Sequence, residues 1–150
     1  MTRVWPAVVE ISIVEKATRA PLSGVMINVQ VVAPTKNDYS LRTRPTNQAG
    51  VVQITLAEVK EAIHCAQREF PMDYDASIGD CQYLRISVES AQQMRARIER
   101  LRVYYPERAS ELEALLTTAR NDLIASRQVT VPVAHSIKIT VRTRRKSFRN

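Results

Sequence analysis

Short runs of this chain alternate apolar and polar residues with a period of two. Val9, Ile11 and Ile13 are separated by Glu10 and Ser12, the pattern of a strand with one face against a core. After the polar turn "KATRAPLSG", Val25, Ile27, Val29 and Val31 alternate with Met26, Asn28 and Gln30, until Pro34 ends the run. "NDYSLRTR" (37–44) predicts a more polar, edge-like strand, and "PTNQAG" turns the chain into Val52, Ile54 and Leu56. The chain has three glycines, and two of them, Gly24 and Gly50, each stand just before a strand. Glycine takes positive φ without steric cost, so both are expected to close the turns that aim the next strand back across the sheet.

The period then changes. Val59, Ala62, Ile63 and Ala66 recur at helical spacing, which predicts a short amphipathic helix over 57–70 stopped by Pro71. "PMDYDASIGD" reads as a loop, and strand periodicity returns at Leu84, Ile86 and Val88. Residues 90–126 contain no glycine and carry two apolar seams, Ala91, Met94, Ile98, Leu101 and Tyr105, then Ala109, Leu112, Leu116, Ala119 and Leu123. Pro106 stands between the seams and suits the first position of a new helix. One rod of about 36 residues would end about 54 Å from its start, so an antiparallel hairpin is expected instead. Val129, Val131 and Val133, the turn "AHS", and Ile137, Ile139 and Val141 complete seven expected strands. Pro132 lacks an amide proton, and the segments near 37–44 and 128–133 are the expected sheet edges.

At 150 residues a single domain over 1–150 is expected. The formal charge of +7 is unevenly placed: Arg142, Arg144, Arg145, Lys146 and Arg149 form a basic tail (142–150) without an acid. The opening "MTRVWPAVVEISIV" has no secretory-signal pattern, and no apolar run approaches the roughly 18 residues of a membrane span, so the expected site of synthesis is the cytoplasm. Cys65 and Cys81 fit neither a disulfide framework nor a zinc spacing and are expected to be free thiols.

The turn residues Thr18, Pro21, Leu22, Gly24 and Val25, with Thr46, Asn47 and Gly50, match two motifs, "T-x-x-P-L-x-G-V" and "T-D/N-x-x-G". In them the chain resembles the carboxypeptidase regulatory-like, or transthyretin-like, family of immunoglobulin-like β-sandwiches, over roughly 80 residues. The resemblance implies a mainly β, seven-stranded sandwich with two insertions, the helix at 57–70 and the hairpin at 90–126. It implies a non-catalytic module of the kind found in surface proteins, appendages and virion parts. The family's hydrolase branch, the hydroxyisourate hydrolases, uses a first-strand histidine and a C-terminal Tyr-Arg-Gly-Ser. Here the first strand has no histidine and the chain ends "KSFRN", so that small-molecule activity is the remotest alternative.

Searching the residues for chemistry yields little. His64 and Cys65 are adjacent on a helix and point about 100° apart, which precludes a nucleophile–base pair between them. His135 falls in a turn. Asp73, Asp75 and Asp80 offer oxygen ligands, but glycine is displaced from the sixth position of a calcium loop and Leu84 stands where its bidentate Glu belongs. No catalytic residue, cofactor site or metal site is therefore assigned. Two surfaces remain. On the hairpin, Arg95, Arg97, Arg100, Arg102 and Arg108 interleave with Glu99, Glu107, Glu111 and Glu113, an exposed or inter-subunit pattern; Glu111 and Glu113 read as solvated. Tyr104, Tyr105, Arg97 and Arg102 are the expected protein-partner contacts. Arg142, Arg144, Arg145, Lys146 and Arg149 are the expected polyanion contacts, with nucleic acid as the alternative partner. The preferred expectation is a subunit of a larger homo- or hetero-oligomeric assembly, such as a phage or phage-like particle.

Overall fold

The computed structural model describes residues 5–117, 123–124, 126–130 and 135–143. Among them nine strands and three α-helices follow in the order β1 (Val8–Glu15), β2 (Met26–Val32), β3 (Asp38–Ser40), β4 (Arg44–Pro45), β5 (Val51–Thr55), α1 (Leu56–Glu69), β6 (Tyr83–Val88), α2 (Ala91–Tyr104), α3 (Pro106–Leu116), β7 (Leu123–Ile124), β8 (Ser126–Thr130) and β9 (Ser136–Thr143). A 3-10 turn, Ile78–Asp80, interrupts the loop after α1.

The strands form two sheets, ordered β5-β1-β9-β7 and β3-β2-β6-β8, with β4 also paired to β2. β1 and β9 run parallel; every other pair is antiparallel. The alternation seen in the sequence sets which face each strand buries. Ile11, Ile13, Val29, Val31, Val52, Leu84, Ile86, Ile137 and Ile139 enter one apolar core shared by both sheets. Each such side chain contributes about 1.5–3 kcal/mol on burial. Helix α1 joins that core through Val59 and Ile63, and Thr55 caps it by accepting from the Glu58 amide at 3.1 Å.

The two glycine turns are built as their spacing predicts. Gly24 and Gly50 have φ of 72° and 73°. At Gly50 an added Cβ would lie 2.9 Å from both the Ile13 carbonyl oxygen and Pro21 Cβ, so the close approach of two turns excludes any side chain there. The buried Thr46 joins the turns: its hydroxyl accepts from the Val25 amide at 3.0 Å and donates to the Leu22 carbonyl at 2.6 Å. Asn47 Oδ1 accepts from the Ala49 and Val51 amides at 2.9 and 3.0 Å, a side-chain-made turn.

Helix and strand contents are about equal, so the fold is mixed α and β, which corrects the mainly β expectation. Two local differences have clear causes. The segment 37–44 divides into β3 and β4 because Thr43, between them, turns inward to a buried polar group on α2. The second helical seam stops at Leu116, and Leu123 lies in β7, paired with Thr143 of β9; ladder hydrogen bonds to β9 displace the helix there. Ala119, Val131, Pro132 and Val133 lie outside the described residues, as do Arg144, Arg145, Lys146 and Arg149.

The hairpin itself is present. Pro106 occupies the first turn of α3, and α2 and α3 pack together through Met94, Ile98, Ala109 and Leu112. Its apolar seam lies over Met26, on the outer face of β2, in a cluster separate from the main core. Because β6 and β8 are antiparallel neighbours, two opposed arms return the chain to the place where β8 begins.

Candidate functional site

Ser90 starts the hairpin as the cap of α2. Its hydroxyl accepts from the Gln93 amide at 3.2 Å, and the Gln93 side chain accepts from the Ser90 amide at 3.0 Å. One turn further on, Arg97 points inward. Its guanidinium donates to Glu89 Oε2 at 2.7 Å and to the Thr43 hydroxyl, which in turn donates to Glu89 at 3.3 Å. The Glu89 side chain is 6% exposed and that of Arg97 18%, so the pair has largely left water. Burial pushes the Glu89 carboxyl up despite the adjacent cation, and burial pulls the Arg97 guanidinium down. Desolvation therefore outweighs attraction on both sides, as expected for a buried ion pair. Arg97 fastens the hairpin to the sheet and so points inward, not from the hairpin's outer face as its spacing predicts. Its Nε is buried without a hydrogen-bond partner.

Beside this node a cleft of about 180 Å³ opens between the hairpin and the β3–β4 segment, lined among others by Leu41, Arg42, Arg97, Leu101, Arg108 and Leu112. A cavity of about 150 Å³ admits a benzene-sized group, so this cleft has room for one side chain.

The bend of the hairpin carries the other expected contacts. Tyr105 is half-buried; its hydroxyl donates to Glu69 Oε2 at 2.7 Å, and Arg108 lies over its ring at 5.6 Å. Burial, then the Glu69 carboxylate, pushes the Tyr105 hydroxyl up to about 12. This bond ties the bend to the end of α1, where Phe70 and Tyr74 pack at 6.0 Å between ring centres. At this end the molecule exposes four large side chains: Phe70 40%, Met72 94%, Val103 73% and Tyr104 76%. Arg102 is exposed and holds Glu99 at 2.7 Å and Glu113 at 3.1 Å, while Arg42 pairs with Glu111 at 3.5 Å. Exposed apolar side chains and surface ion pairs thus occur together on α1 and the hairpin.

No protein-family model matches the chain, and no curated protein does.

The other residues singled out by sequence are engaged in local structure. Cys65 Sγ donates to Glu61 Oε1 at 3.2 Å, which raises its pKa, and burial pushes the Cys81 thiol up to about 11. Both favour the thiol over the nucleophilic thiolate. His64 is exposed on α1, and the carbonyl of His135 accepts from the Glu10 amide at 2.8 Å. The Asp80 carboxylate accepts from the Ser77 amide at 2.8 Å and hydroxyl at 3.1 Å and pairs with Lys36 at 3.3 Å. Those bonds hold its pKa below the usual carboxylate range. Asn37 ties down the backbone of Asp73 and Asp75. Among the described residues no group of three or more metal-ligating side chains forms, and no helix is long and apolar enough to cross a membrane.

Arg142, expected to open the basic tail, belongs with Thr143 to strand β9 and is brought together with Lys16 and Arg19 at the end of the first sheet. Sequence reasoning missed those two, along with Thr43, Glu89, Phe70, Met72 and Val103. An apolar Phe70 and Met72 flanking a polar loop were visible signals. Lys16 and Arg19 gave none, because only the parallel pairing of β1 with β9 places them beside Arg142.

Proposed function

We propose that the protein is a non-catalytic interaction subunit of a larger protein assembly, with the hairpin tip as its contact surface. The observation that carries this reading is the exposure of Phe70, Met72, Val103 and Tyr104 at one end, where the Tyr105–Glu69 bond fixes the hairpin against α1. Exposed apolar side chains rimmed by charge are the composition of an interface core and its polar rim. The 180 Å³ cleft beside Arg97 offers a receptor for one partner side chain on the same hairpin.

The strand order supports an immunoglobulin-like, transthyretin-like sandwich as the scaffold. Both sheets interleave early and late strands, and β1 pairs with β9, as Greek-key connections between two sheets do. Modules of that resemblance serve as building blocks in appendages and particles, and a phage or phage-like particle is the setting we favour.

Hydrogen exchange on the full chain at low and high concentration tests the surface directly. The expected result is new protection confined to residues near 70–72 and 101–105 and to the cleft walls near 40–43 and 108–115 as concentration rises. Protection elsewhere, or none, contradicts the assignment.

A further inference from the structure

Lys16, Arg19, Thr140 and Arg142 line a hollow of about 370 Å³ at one end of the first sheet. Two parts of the chain supply it. The parallel register sets Val14 opposite Thr140 and Glu15 opposite Val141, and the Lys16 amide donates to the Val141 carbonyl at 3.0 Å. Arg19 sits in the following turn at φ 62°, its amide bonded to the Glu15 carbonyl at 2.8 Å. The tight turn therefore carries Arg19 back beside the strand it has just left. The result, among the described residues, is three cations and a hydroxyl with no carboxylate lining the hollow.

Three like charges gathered in one hollow repel each other and create a positive potential that an anion relieves. The kind of anion follows from exposure. All four side chains are exposed, so each contact with an anion is screened and weak. A single small phosphate gains little from such a site, whereas a polymer of phosphates sums many contacts and releases its counterions. The sequence runs on from Arg142 through Arg144, Arg145, Lys146 and Arg149 without an acid, so further cations follow directly.

We propose that this hollow binds the phosphodiester backbone of a nucleic acid, with Lys16 and Arg19 acting together with Arg142. The described lining groups are cations and a hydroxyl, which contact phosphate oxygens rather than base edges.

The test is fluorescence anisotropy of a labelled, mixed-sequence single-stranded oligonucleotide with the full chain, between about 50 and 200 mM salt. The variant is Lys16→Ala with Arg19→Gly; glycine suits the positive φ at position 19, and a thermal melt confirms that the turn survives. Without these two cations to neutralise phosphates, binding weakens and the slope of log K against log salt falls by about 1.4, at about 0.7 per phosphate for a single strand. Inorganic pyrophosphate at equal phosphate concentration is expected not to displace the oligonucleotide; displacement would make this a small-anion site and overturn the proposal. An unchanged slope in the folded variant overturns it in favour of the tail alone, and failure of the wild type to bind overturns it outright.

Discussion

Gly50 shows how one residue holds two turns together. Its backbone lies against Ile13, Pro21 and Leu22, so any side chain meets both a strained φ and a steric wall. Gly24 has the same φ but open space around it. Gly50→Ala is therefore expected to cost about 2–4 kcal/mol, the left-handed penalty plus overpacking, and Gly24→Ala only about 1–2 kcal/mol. Urea unfolding of the two variants checks the difference; equal losses would contradict the close approach at Gly50. The Glu89–Arg97 pair supplies a second prediction, with a sign in pH. Glu89 has a raised pKa when folded, so the folded protein holds its proton more readily than the unfolded chain does. Its stability contribution declines as pH rises from about 4.3, the unfolded value, through the folded one. Arg97→Ala strips the carboxylate of its bonded cation and makes this dependence steeper. The loss is expected to be about 3–5 kcal/mol near pH 8 and small near pH 4. A loss of equal size at both pH values would rule out an unpaired Glu89 charge as its cause.

At the level of elements, the hairpin has its own apolar cluster, joined to the sheet through Met26 and the Arg97 node. It is expected to open locally before the sheets do. Ile98→Ala, a buried truncation of about 2–5 kcal/mol, should lower amide protection across 91–116 while leaving that of β1, β2 and β6 unchanged; equal loss everywhere would mean that hairpin and sheets unfold as one. Helix α1 is fixed differently. Arg44 donates two bonds to the Glu58 carboxylate, one of 3.1 Å, and this holds Glu58 below the usual carboxylate range. Below the unfolded value the unfolded chain takes up that proton first. The pairing thus contributes fully above about pH 4.3 and is lost as pH falls through the folded value. Stability should fall more steeply below about pH 4.5 in the wild type than in Glu58→Gln, as followed by thermal melts across pH.

Across the whole molecule, what the sequence made legible was local in origin. Period-two runs named the inner faces of β1, β2, β5, β6 and β9, Pro106 marked the hairpin bend, and the glycine, threonine and asparagine turns formed as their chemistry requires. What escaped was set by distant partners. Met26 belongs to the polar face of its strand yet is buried, because helices 65 or more residues later cover it. Arg97 sits among solvated arginines in sequence and faces Thr43, 54 residues away, in space. Leu123 kept the helical seam in register, but β9 takes it as a strand partner. The tip emerged only when Tyr105 met Glu69, and the basic hollow only when β9 was laid beside β1. Both surfaces bear on how the protein associates, so size-exclusion chromatography with light scattering on the full chain, at low and high salt with absorbance at 260 and 280 nm, tests the account most directly. An oligomer that persists at high salt, free of nucleic acid there, is the predicted result, since apolar tip contacts resist screening while phosphate contacts do not. A monomer at every concentration and salt would contradict it.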